Sequence, residues 1–247
     1  MRKLVYIFSL FILACNSEDA YDCFQTSGSI IQQEVSVSNF NRMLVHRDIE
    51  VIIKASPNYK VTIETGENLI NDVAVEVIDN RLVLTDHNSC NLVRDYGITK
   101  IYVETPTLTE IRSSTQYDIS SDGVLNYDSL TLLSEDFNET NEFTVGDFRL
   151  NISSENLSIS SNNLSFYYIT GTVDNLFVGF YAGAGRFEGE NLSAQNVRVY
   201  HRGSNDMVVN PQQTLTGQLY GTGDLISVNQ PTTEDVERFY TGELRFQ

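Results

Sequence analysis

Short apolar dyads recur through the second half of the chain at steps of about 20 residues, with scatter. Leu108/Ile111, Leu130/Leu132, Leu150/Ile152, Leu157/Ile159, Leu176/Val178, Val197/Val199 and Leu215/Leu219 are each set among Ser, Asn, Gly and Thr. Alternation over a few residues between turn formers is the pattern of a half-buried strand. The step matches one coil of a β-solenoid, whose coils bury apolar side chains inward and against the next coil. Residues 108–247 would hold about seven coils, a stack about 34 Å long at the usual strand spacing.

The corners carry the clearest signal. Ala182-Gly183-Ala184-Gly185 is echoed by Gly203-Ser204-Asn205-Asp206 and again by Gly221-Thr222-Gly223-Asp224. Gly183 and Gly203 lie 20 residues apart, and Gly203 and Gly221 lie 18 apart. Glycine and Asn tolerate the tight bends that such a coil needs several times per turn. Asn162-Asn163 takes the equivalent place one coil before Gly183. Gly183, Gly185 and Gly189 do not make a dinucleotide loop: the last glycine falls one place late, and no βαβ unit surrounds them.

The first third reads differently. Val73–Val77 and Leu82–Leu84 flank Asp79-Asn80, which predicts a hairpin, and Pro57-Asn58 is a turn between two further strands. Only Glu67–Asp72 has a helical pattern, one or two turns long. The expected organisation is one continuous domain over 29–247. Its 29–107 part is a hairpin-rich cap of N-terminal strands, and 108–247 are regular coils. Thr233–Gln247, with Phe239-Tyr240 and Leu244, would close the far end, since an open coil exposes unpaired strand edges.

Arg2 and Lys3 precede an apolar run from Leu4 to Ala14, too short to span a bilayer and suited to an export signal over 1–14. The run ends in Ile12-Leu13-Ala14-Cys15, which resembles a bacterial lipoprotein box, so Cys15 is the expected lipidation site. An ordinary secretory signal with an incidental Cys is the alternative. Residues 15–28 would then be the acylated Cys and a polar tether. Asn16-Ser17-Glu18-Asp19 resembles the surface-export signals of Bacteroidetes lipoproteins. That similarity favours an outer-membrane lipoprotein at the cell surface over one facing the periplasm. Cys23 and Cys90 are the thiols left over, and an even pair in an exported protein suggests a disulfide; two free thiols are the alternative. The net charge of −17 argues against nucleic acid and anionic lipid heads as partners.

Chemistry is sparse. His46, His87 and His201 have no neighbours at metal-ligand spacing, and neither a G-x-S-x-G elbow nor H-E-x-x-H occurs. No metal or other cofactor is expected. Asp122, Asp128, Glu135, Asp136, Asp206 and Asp224 could line one face as the acid pair of a glycosidase or lyase. Asp206 and Asp224 stand in matching corners, where capping a turn is the simpler role and Ca²⁺ binding the alternative. Tyr167-Tyr168, Phe177, Phe180-Tyr181 and Phe187 cluster in adjacent coils, either as stacked core or as a ladder for sugar rings. Asp128-Ser129-Leu130 matches a three-residue O-glycosylation pattern.

Three stretches together resemble the auto-transporter adhesin head domain of the GIN type. They are Val37-Ser38-Asn39-Phe40, Tyr59-Lys60-Val61-Thr62-Ile63-Glu64 and Leu215-Thr216-Gly217-Gln218-Leu219-Tyr220-Gly221-Thr222-Gly223-Asp224-Leu225-Ile226. The resemblance covers roughly residues 35–230. It implies an all-β, single-stranded right-handed β-helix in a Bacteroidetes lipoprotein context, and it assigns no catalytic residue. The pattern's glycine corners are missing at Thr115-Gln116 and near Asn138–Asn141. The expected function is a non-enzymatic, membrane-anchored adhesin or binding module for a glycan or protein ligand. A carbohydrate-active β-helix enzyme and a purely structural envelope protein are the alternatives. The sequence names no ligand and no oligomeric state.

Overall fold

A computed structural model describes residues 22–88, 90–137 and 143–247. Among them there is no α-helix, and all strands join one seventeen-stranded sheet. In chain order they begin with β1 Ile30–Val35, β2 Arg42–Val45, β3 Glu50–Ala55, β4 Lys60–Gly66, β5 Val73–Ile78 and β6 Arg81–Asp86. Next come β7 Lys100–Thr105, β8 Glu110–Ser113, β9 Ile119–Asn126, β10 Ser129–Ser134 and β11 Phe148–Ser161. The last six are β12 Phe166–Phe180, β13 Arg186–His201, β14 Met207–Leu219, β15 Leu225–Ser227, β16 Thr233–Arg238 and β17 Leu244–Phe246.

The long strands β11 to β14 each serve two parallel ladders. One ladder runs β6, β2, β8, β10, the second halves of β11 to β14, and β16. The other runs β7, β3, β9, the first halves of β11 to β14, then β15 and β17. From β8 to β16, and from β9 to β17, each ladder holds seven strands within residues 108–247. The dyads set the register. Leu157 lies over Leu176, Val197 and Leu215, and Ile159 lies over Val178, Val199 and Gly217. Leu150/Ile152 belongs to the opposite ladder, and β16 supplies the step that the dyads do not mark. In the Leu157 column apolar side chain lies over apolar side chain on neighbouring strands, and in the Ile159 column the apolar row gives way at Gly217. A fully buried Leu, Ile or Val contributes about 1.5–3 kcal/mol.

The N-terminal end does not wind in chain order. β2 and β3 come earliest in sequence of the parallel strands, yet β6 and β7 pair to one side of them and β8 and β9 to the other. Residues 29–107, expected as a cap, therefore also supply two steps of the stack. Capping falls to the antiparallel strands: β5 pairs with β6, β4 with β7, and β1 with β4. The β5–β6 hairpin turns at Asp79 (φ 49°) and Asn80 (φ 62°), the two left-handed residues of a type I′ turn. The helical pattern at Glu67–Asp72 is a single 3₁₀ turn, Ile70–Asp72. Cys23 and Cys90 are joined with their Cα atoms 4.5 Å apart, tying the N-terminal segment to a loop 67 residues on. Cys15, the signal and residues 16–21 of the tether lie outside the described residues, as does the corner at 138–142.

Candidate binding face

The glycine corners form a continuous column. Ala184 N donates to Asn163 O (2.9 Å), Ser204 N to Gly183 O (2.9 Å), Gly223 N to Gly203 O (3.3 Å) and Gly242 N to Gly221 O (3.1 Å). Asn162-Asn163 thus holds the place expected for it, and Gly242, which the sequence pattern did not mark, extends the column by one step. The close approach of successive backbones explains the residue type. A Cβ at Gly223 would lie 2.0 Å from the Asn205 carbonyl oxygen, and one at Gly183, where φ is 80°, 2.2 Å from that of Asn163. Gly221 is as tightly held against Gly203, whereas Gly185 and Gly203 have 3.1 and 3.3 Å of clearance. At the unmarked corner Thr115-Gln116, Gly146 does this work: its N–H donates to Thr115 O at 2.9 Å.

Most of the candidate acids are consumed by the scaffold. Asp206 Oδ1 accepts from Asp224 N (3.0 Å) and Asp224 Oδ1 from Glu243 N (2.9 Å). Their second oxygens meet Arg186 and Arg245 at 3.5 and 3.0 Å. Asp122 pairs with Lys54, and Asp136 accepts from Asn162. Glu135 makes a buried ion pair with Arg112 at 2.7 Å. No group of three His, Cys, Asp or Glu suited to a metal occurs among the described residues. His201 is fully buried, Gly203 N donates to its Nδ1 (3.4 Å), and burial pushes its pKa down. His87 is exposed.

Strand alternation divides the aromatic cluster in two. Inside, Tyr167 stacks on Phe148 at 4.9 Å and approaches Phe180 at 5.8 Å, and Phe180 meets His201 edge-on. Outside, Tyr181, Tyr200, Tyr220 and Phe239 form a ladder with ring centroids 5.1, 5.4 and 4.4 Å apart. Phe180/Tyr181 and Tyr200/His201 are adjacent pairs that place one ring in each set.

Beside the outer ladder lies a second outward column, Phe177, Arg198, Thr216 and Asp235, aligned across β12, β13, β14 and β16. The Arg198 guanidinium lies 4.5 Å over the Phe177 ring. Between that pair and the ladder opens a solvent-facing hollow of about 460 Å³, with Gln218, Asp235 and Glu237 at its lower side. A second hollow of about 410 Å³ lies on the other side of Phe177 and Arg198, lined by Asn175, Asn196 and Thr214.

Over residues 39–231 the sequence matches the family described as "Putative auto-transporter adhesin, head GIN domain". The chain belongs to this family. In fold it is similar to a crystal structure described as a "putative adhesin" from Bacteroides fragilis. The TM-score is 0.80 at 20% identity, covering 90% of this chain and 99% of that one. It is also similar to a "putative adhesin" from Parabacteroides merdae (TM-score 0.61, 14% identity, 89% and 97% covered). A "putative lipid binding protein" from Parabacteroides distasonis gives a TM-score of 0.59 at 15% identity, with 89% and 97% covered. No curated protein matches the chain.

This GIN domain contains one ordered feature that the sequence pattern left unread. Asn196 Nδ2 donates to Asn175 Oδ1 and Asn175 Nδ2 to Asn156 Oδ1, both at 3.1 Å, while Thr214 Oγ1 donates to Asn196 Oδ1 at 3.0 Å. The signal was present: Asn156, Asn175 and Asn196 each stand immediately before a dyad. Phe177 and Tyr181 were in the cluster expected from sequence; Arg198, Tyr200, Tyr220 and Asp235 were not.

Proposed function

We propose that this chain is a non-enzymatic binding module of adhesin type, displayed on the bacterial envelope. Its head would be a single-stranded right-handed β-helix, held at the membrane through acylated Cys15 and a short polar tether. The parallel stack and the family support the head, and the Ile12–Cys15 motif supports the anchor. The carrying observation is the outward face of β12 to β16. There a row of aromatic rings borders Arg198, Thr216 and Asp235, whose side chains make no hydrogen bond or ion pair among the described residues. No helix among the described residues is long and apolar enough to cross a membrane.

A glycan array together with a panel of host-matrix proteins, probed with the mature chain, tests this reading. Saturable binding to at least one class is expected, and flat results on both would refute it. Protease shaving of intact cells should release the head if it faces outward. One observation favours a second reading. Asp235 and Glu237 share a hollow with Arg198, an arrangement a glycosidase would use. A glycosidase, however, desolvates one acid of its pair, and both of these are exposed. Release of reducing ends from a bound glycan, abolished by Glu237→Gln, would establish the enzyme instead.

A further inference from the structure

Building on the binding-module reading, we propose that the two hollows flanking the Phe177–Arg198 pair form a continuous site for a linear, uncharged oligosaccharide. The chain would straddle Arg198, with one sugar ring on either side.

Among the described residues, the side chains of Arg198, Thr216 and Asp235 make no hydrogen bond or ion pair; Arg198 has only its contact with the Phe177 ring. A guanidinium fork and a carboxylate left unpaired on one face offer donors beside acceptors. Vicinal hydroxyls, each both donor and acceptor, fit that arrangement better than a ligand of a single charge. Gln218 donates to Glu237 at 3.3 Å and keeps its carbonyl oxygen for a ligand. The aromatic walls present apolar surface to the C–H faces of a sugar ring.

Two features choose uncharged over anionic chains. Asp235 and Glu237 line the first hollow, and the net charge of −17 repels an anion from a distance. A chain is favoured over a single sugar because the hollows share Phe177, Arg198 and Thr216. In the second hollow, the Asn196 and Asn175 amides supply neutral polar contacts. Each hollow is within the size range that small ligands occupy, yet open to solvent, so one ring alone would be weakly held.

The test is titration calorimetry on the full acylated chain, in a detergent without a sugar headgroup. The probes are mannose, mannotriose, cellotriose, maltotriose and trigalacturonate. At least one neutral trisaccharide should bind about tenfold or more tightly than mannose, since the second ring binds as part of the same molecule. Arg198→Ala should abolish that advantage. Tyr200→Ala and Asn196→Ala should each weaken the trisaccharide about tenfold, and Tyr168→Ala, on the other ladder, should leave it unchanged. A trisaccharide advantage that survives Arg198→Ala, or binding of trigalacturonate alone, would overturn the proposal. Should no saccharide bind while a matrix protein does, the sugar site falls and the binding-module reading stands. If nothing binds, both fall.

Discussion

Backbone crowding at the corners makes single residues decisive. Gly223→Ala forces a Cβ to within 2.0 Å of a carbonyl oxygen, whereas at Gly203 the nearest atom is 3.3 Å away and belongs to a side chain. Gly223→Ala should therefore cost about 1–3 kcal/mol in urea unfolding and Gly203→Ala much less; equal effects would contradict the stacking geometry. His201 gives a pH signature. Burial favours its neutral form, so the unfolded chain binds the extra proton first as pH drops. Its contribution to stability is complete above the ordinary histidine value of about 6.5 and is lost progressively as pH falls below it. Thermal melts from pH 7.5 to 5 should show this slope, and His201→Phe should flatten it. The corner glycines were readable from sequence because the demand on each is written in its residue type. The division of Phe180 from Tyr181 was not, because it depends on the phase of a strand that bends before reaching them.

At the scale of elements, the ladders are held by side chains as well as backbone. Asn175 donates to Asn156 and accepts from Asn196. Asn175→Ala removes both bonds at an exposed position, which should lower stability by about 0.5–1.5 kcal/mol and leave the circular dichroism spectrum unchanged. Asn175→Asp should cost less than Ala, because the carboxylate loses the donation to Asn156 but can still accept from Asn196. Seven dyads are spaced along residues 108–247, and each parallel ladder there holds seven strands. The spacing misassigned one dyad because Leu150/Ile152 and Leu157/Ile159 sit on a single bent strand, and a dyad by itself does not say which ladder it faces. The last strand of the first ladder, β16, reads Thr-Glu-Asp-Val-Glu-Arg and is largely exposed. Charged side chains on an exposed edge strand disfavour its pairing with another chain.

In the molecule as a whole, β2 and β3 sit between strands that follow them in sequence, β6 and β7 on one side and β8 and β9 on the other. Nothing local in the sequence encodes that order, since a parallel strand finds its partner across tens of residues. The β5–β6 hairpin in the cap was legible because its turn is local, whereas β4 with β7 and β1 with β4 pair across longer stretches of chain. The Cys23–Cys90 bond closes this end over a 67-residue separation, and its reduction should cost about 4 kcal/mol in denaturant unfolding. The binding face emerges only at this scale, assembled from four strands that are distant in sequence. Its existence as a working surface is the central claim. The most direct measurement is the glycan and matrix array run with the native chain beside an Arg198→Ala/Tyr200→Ala double variant of matched melting temperature. The native chain should bind and the variant should lose that signal; a variant that binds as the native chain does would show that this face is not where the protein works.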